Sequence, residues 1–144
     1  MNCLKNGKET EYVNNFVLDS FALLRFIQKE PGNEPVKAIL DDARSGKACA
    51  MLNVINMGEV IYTVQRRFGL QFKLDVVMNI SRLGIVILPA PNDLVFRAAE
   101  LKARFAMSYA DAFAVASSIE HNATLVTGDQ EFRQAEHLVK ILWI

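Results

Sequence analysis

Short apolar runs alternate with longer stretches in which apolar residues return every three or four positions. The first run, Phe16-Val17-Leu18, ends in Asp19. Helical spacing follows at once in Phe21-Ala22-Leu23-Leu24-x-Phe26-Ile27 and is stopped by Pro31-Gly32-Asn33. A helix over 34–44 carries Val36, Ile39, Leu40 and Ala43 on one face and ends at Ser45-Gly46. Ala48-Cys49-Ala50-Met51-Leu52 reads as a second buried strand, and Asn53 suits an N-cap because its side chain accepts an otherwise unpaired backbone N–H. The helix it opens runs to Phe68 and stops at Gly69, with Val54, Met57, Ile61 and Val64 as its expected core face. A further amphipathic helix over 72–83 is closed by Gly84, and Ile85-Val86-Ile87-Leu88 is a third strand, stopped by Pro89 and Pro91. Helices are expected over 92–105 and 109–121, the latter capped by Ser108, then a strand over 124–126, a short helix or turn over 128–135 and a strand over 138–143. Residues 1–14 show no period and read as an arm; residues 15–144 read as one domain. Near-continuous apolar strands alternating with helices predict an α/β fold whose parallel sheet is covered on both faces.

Composition adds little to the fold and more to the function. A hydrophobic fraction of 51% and mean hydropathy of +0.15 are high for 144 residues, which suggests that a partner or second copy covers part of the surface. Sixteen basic residues balance sixteen acidic ones, which argues against a nucleic-acid coat driven by bulk charge but does not exclude an enzyme that meets phosphate through a metal. No stretch approaches the ~20 apolar residues needed to cross a bilayer, and the polar first fifteen residues do not resemble a signal peptide. The expected location is cytoplasmic, with no membrane partner and with Cys3 and Cys49 as reduced thiols. His121 and His137 lack zinc-type spacing.

Four acidic residues converge on one rim of the expected sheet. Asp19 directly follows its strand, and Asp129 follows the fourth by two residues, so both stand at the carboxyl rim, where parallel α/β sheets bind ligands. Asp111 opens the helix that feeds the fourth strand; that helix runs antiparallel to the strand, so its start lies at the same rim. Glu59 is six residues after its cap, about 9 Å along the helix, and is expected to reach back toward the rim because helical side chains lean N-terminally. Each has an ordinary reading as cap, turn or solvated residue. Together they would repel one another unless a cation sat among them. An oxygen-only, acidic set suits Mg²⁺ or Mn²⁺ rather than zinc. The implied chemistry is in-line hydrolysis of a phosphodiester, with Ser20 and Thr127 as nearby hydroxyls.

The segments YVNNFVLDSFALL (12–24), NVINMGEVIY (53–62), SYADAFAVAS (108–117) and ATLVTGDQEF (123–132) resemble, in order, the motifs of PIN-domain proteins, and within them the VapC-type toxins of toxin–antitoxin pairs. The resemblance spans about residues 13–144, including the closing Val139-Lys140-Ile141-Leu142-Trp143. It implies a three-layer α/β/α fold with strand order 3-2-1-4-5 and a Mg²⁺- or Mn²⁺-dependent endoribonuclease. It maps the acidic residues onto Asp19, Glu59, Asp111 and Asp129, with the hydroxyl at Thr127, and Asn56 onto a position that is often polar. It further implies an RNA substrate, a homodimer and a cognate antitoxin whose tail fills the groove. Glu131 stands where many relatives carry Asp, and the arm before Tyr12 is longer than usual.

Two other functions share parts of this pattern. A non-catalytic PIN module binding RNA or protein would keep the fold but not all four acids. A phosphotransfer receiver domain needs an acidic pair after its first strand and an Asp after its third; here Asp19 stands alone and the third strand ends in Pro89.

Overall fold

The computed structural model describes residues 14–144; the arm expected over 1–14 therefore lies outside the described residues except for Asn14. Strands β1 (Asn14–Leu18), β2 (Ala48–Asn53), β3 (Ile85–Leu88), β4 (Thr124–Thr127) and β5 (Ile141–Trp143) form one sheet in the order β3-β2-β1-β4-β5. Every pairing is parallel, with Leu18 opposite both Leu52 and Val126. The helices are α1 (Ser20–Ile27), α2 (Glu34–Arg44), α3 (Val54–Phe68), α4 (Leu70–Asn79), α5 (Asn92–Arg104) and α6 (Tyr109–Glu120), with short 3-10 turns at Ile80–Leu83 and Gln130–Ala135.

Strand side chains alternate between two cores. Val17, Met51 and Leu125 pack on the side of α5 and α6, whereas Leu18, Leu52 and Val126 pack on the side of α1, α2 and α3. Because both faces are dry, the strands read as unbroken apolar runs, and the three-layer α/β/α arrangement follows.

Several boundaries differ from the sequence reading. β5 begins at Ile141 rather than at 138, because Leu138 and Val139 hydrogen-bond back to the Ala135 carbonyl and close the preceding turn. α4 starts at Leu70, directly after Gly69, whose φ of +88° favours glycine, and tightens into a 3-10 turn from Ile80. α4 itself has no fully buried residue, but Val76, with Ile80 and Leu83 of the following turn, packs on the core, as an amphipathic stretch over 72–83 should. The buried residues of α3 are Asn56, Met57, Val60 and Val64; Val54 is exposed and Ile61 half-buried, so the core face is turned from the expected one. Cys49 is disulfide-bonded, which corrects the expectation of reduced thiols; Cys3 lies outside the described residues.

Candidate metal centre

β1 and β4 are neighbours, so the chain leaves the sheet at adjacent points after Leu18 and Thr127. Asp19 is the N-cap of α1, held in extended backbone by its N–H to the Val126 carbonyl (3.3 Å). Its Oδ1 accepts from the Ala22 N–H at 2.7 Å, as an N-cap should. Its Oδ2 accepts from the Thr127 hydroxyl, and Thr127 Oγ1 in turn accepts from the Asp129 N–H at 3.0 Å. With its lone pair given to the Asp129 amide, the Thr127 hydroxyl proton is directed at Asp19. Asp129 caps the following 3-10 turn, its Oδ1 accepting from the Glu131 N–H at 3.0 Å.

Asp111 lies in the first turn of α6, and its N–H donates to the capping Ser108 Oγ at 3.1 Å. Glu59 comes from the second turn of α3 and its Oε1 accepts from the Ser20 hydroxyl. The route by which Glu59 arrives differs from the one expected. Asn53 bonds Ser117 and Asn56 bonds Ala110, so a step forward along α3 is a step back along α6. The two helices pass in opposite senses, and Glu59, one turn beyond Asn56, is carried toward the start of α6 without having to reach back.

The carboxylates interact. Asp19 is 2% exposed, and burial pushes its pKa from 3.8 up to about 7, with the charges of Asp111 and Asp129 adding to the rise against the Thr127 and Ala22 hydrogen bonds. Burial likewise raises Asp111 to about 6, with Asp129 and Glu59 contributing. Among the described residues the ion pairs are confined to Lys37, Asp41 and Arg44 of α2, so no cationic side chain there neutralises these groups.

Oxygens of Asp111, Asp129 and Glu131 lie within 4.8 Å of one another, close enough to share an ion. Asp19 and Glu59 stand alongside, coupled to this group by charge while their oxygens are engaged by Thr127, Ala22 and Ser20. The structure thus brings Asp19, Glu59, Asp111, Asp129 and Thr127 to one rim and adds Glu131, which the sequence reading did not count as a ligand. The signal for it was the spacing: a residue two places after Asp129, in a turn that Asp129 itself caps. An oxygen-only cluster with two raised pKa values and no cationic partner fits a hard divalent cation.

A family model for the PIN domain matches residues 16–138. A comparison with curated protein sequences finds no match. Among solved structures, that of VapBC2 from Rickettsia felis bound to a promoter DNA fragment superposes with a TM-score of 0.69 at 16% identity, covering 90% of this chain and 98% of that one. VapC20 of Mycobacterium tuberculosis, a Sarcin-Ricin loop cleaving toxin, gives 0.68 at 17% identity over 83% of this chain and 94% of the other. FitAcB from Neisseria gonorrhoeae gives 0.61 at 21%, covering 88% and 96%. At these identities the likeness is one of fold.

Proposed function

The chain belongs to the PIN-domain family, and on that footing we propose that it is an Mg²⁺- or Mn²⁺-dependent endoribonuclease, the toxin of a VapBC-type toxin–antitoxin pair. The observation that carries the reading is the meeting of Asp19, Glu59, Asp111 and Asp129, from four separate segments, at the crevice between β1 and β4. Asp111, Asp129 and Glu131, whose oxygens lie close enough to share one ion, would hold it, with Asp19 and Glu59 beside them as the further acids of the site. When bound, the metal supplies polarisation of the phosphodiester, a more acidic water and stabilisation of the departing oxygen.

The chain's own groups prepare that site. Thr127 keeps the Asp19 carboxylate in one orientation, and Ser20 does the same for Glu59. The amide of Asp129 fixes the Thr127 hydroxyl, so Asp19 and Asp129 are set by one relay. With its carboxyl raised to about 7, Asp19 is still partly protonated near neutrality, and Asp111, raised to about 6, is so at slightly lower pH, so metal uptake there would be coupled to proton release.

An antitoxin and a second copy are part of the same proposal. Support for the antitoxin comes from the VapBC complexes of like fold and from an apolar strip on α3 and α4, where Phe68, Leu70, Phe72, Leu74, Val77 and Met78 are exposed. Phe96 of α5 with Tyr109 and Ile119 of α6 supplies a separate exposed patch for the homodimer.

The test is cleavage of structured RNA by the purified chain with Mn²⁺ or Mg²⁺, scored beside Asp19→Asn and Asp111→Asn. Loss of at least about 100-fold in rate, with circular dichroism unchanged, is the expected result for removal of a ligand. Equal rates in parent and variants would overturn the assignment, and binding without metal-dependent cutting would leave a PIN module that only binds.

A further inference from the structure

Asn53, the N-cap of α3, and Asn56 in its first turn are both fully buried, and the chemistry above uses neither. Asn53 is satisfied: Oδ1 accepts from the Ile55 N–H at 2.9 Å and Nδ2 donates to Ser117 Oγ at 3.1 Å. Asn56 is not. Its Nδ2 donates to the Ala110 carbonyl at 3.1 Å, and its Oδ1 has no hydrogen-bond partner among the described residues. A buried amide with half its capacity unused is a net cost, so this position stabilises the fold less than an aliphatic residue of similar size would.

What the bond does secure is geometry. Ala110 immediately precedes Asp111, and Glu59 is one helical turn after Asn56. The bond therefore ties the backbone beside one acid to the turn beneath the other. Those acids repel, and the relief open to them is for the first turn of α6 to slide or tilt away from α3. Asn53–Ser117 and Asn56–Ala110 pin the helix pair at two points, three residues apart on α3 and seven on α6, which blocks both movements.

We propose that Asn56, with Asn53 as its second anchor, is a positioning residue that keeps the start of α6, and with it Asp111, in register with the turn of α3 that carries Glu59. The proposal rests on the reading of these two acids as part of a metal site, and its test separates the two ideas. Mn²⁺ affinity of the full chain is measured by calorimetry for the parent, Asn56→Leu and Asn56→Ala, with melting temperature in the absence of metal and amide exchange along α6. Asn56→Leu is expected to bind Mn²⁺ about 10–100-fold more weakly while melting at or above the parent temperature, a split that a merely structural role does not give. Asn56→Ala should lose the same affinity while melting lower. In both, the amides of Ala112, Phe113 and Ala114 exchange faster without metal, and those of β1 and β2 do not. Parent-like affinity in either folded variant overturns the proposal. If the parent itself binds no Mn²⁺, the metal reading falls, and exchange alone decides: faster exchange at the start of α6 upholds the tie, and unchanged exchange removes it.

Discussion

Asp19 is the most expensive side chain of the site to ionise, and that has a sign. Its pKa rises from 3.8 to about 7 in the folded chain, so between those values the folded state binds more protons than the unfolded one. Stability of the metal-free protein should therefore fall as pH rises from about 4 to 7 and level off above; at about 1.4 kcal/mol per unit the Asp19 contribution is roughly 4 kcal/mol. Urea denaturation in chelator across that range measures it, and the fall should be smaller in Asp111→Asn, which removes a second raised carboxyl and one of the charges acting on Asp19. With saturating Mn²⁺ the fall should be offset, since the ion favours the charged forms. Thr127→Val removes a donor to Asp19 and the acceptor of the Asp129 amide together, and should cost about 1–3 kcal/mol by the same assay. Gly128 tolerates no side chain for a reason of space: a Cβ there would lie 2.4 Å from the Phe21 ring and 2.9 Å from the Ile144 carbonyl oxygen. Gly128→Ala should lose about 1–3 kcal/mol and displace Asp129. The places of Asp19, Asp111 and Asp129 were legible because each is fixed by one neighbouring strand or cap. Glu131 was not, because its place depends on how the Asp129 side chain closes the turn.

Among the helices, α3 shows where periodicity stops deciding. Val54, Met57, Ile61 and Val64 make one acceptable apolar stripe, and Met57, Val60 and Val64 make another a fraction of a turn away. The second is the buried one, packed with Leu18, Leu23 and Leu52, while the buried amides of Asn53 and Asn56 bond α6 and fix the rotation of the helix. A pattern that scores Asn as a surface residue points to the wrong stripe. Val60→Ala should thus destabilise by about 1–3 kcal/mol, whereas Val54→Ala should stay within about 0.5 kcal/mol. Chemical denaturation of the two variants, with the same slope expected for each, tells the faces apart. α4 lies mostly at the surface: Val76 packs on the core and Phe72 meets Phe68, while Leu70, Leu74, Val77 and Met78 stay exposed.

The parallel sheet and its two covered faces followed from the alternation of runs, whereas the order of the strands came from family resemblance, since alternation alone does not say which strand is central. The exposed strip on α3 and α4 is likewise an assembly-level feature, visible in composition only as an excess of apolar residues. Phe72→Glu with Met78→Glu should leave RNA cleavage and stability near the parent and abolish co-purification with a co-expressed antitoxin. Retained co-purification would move that partner elsewhere on the surface. The central position of β1 also has a bearing on synthesis. Its edge beside β2 is filled early, but the opposite edge waits for β4, and Thr127, Asp129 and Glu131 arrive with it. A chain still emerging from the ribosome thus holds Asp19 and Glu59 but lacks the other half of the crevice. An agent able to cut RNA, as proposed for this chain, would in this way stay harmless to its own translation until β4 and the turn after it had joined the sheet.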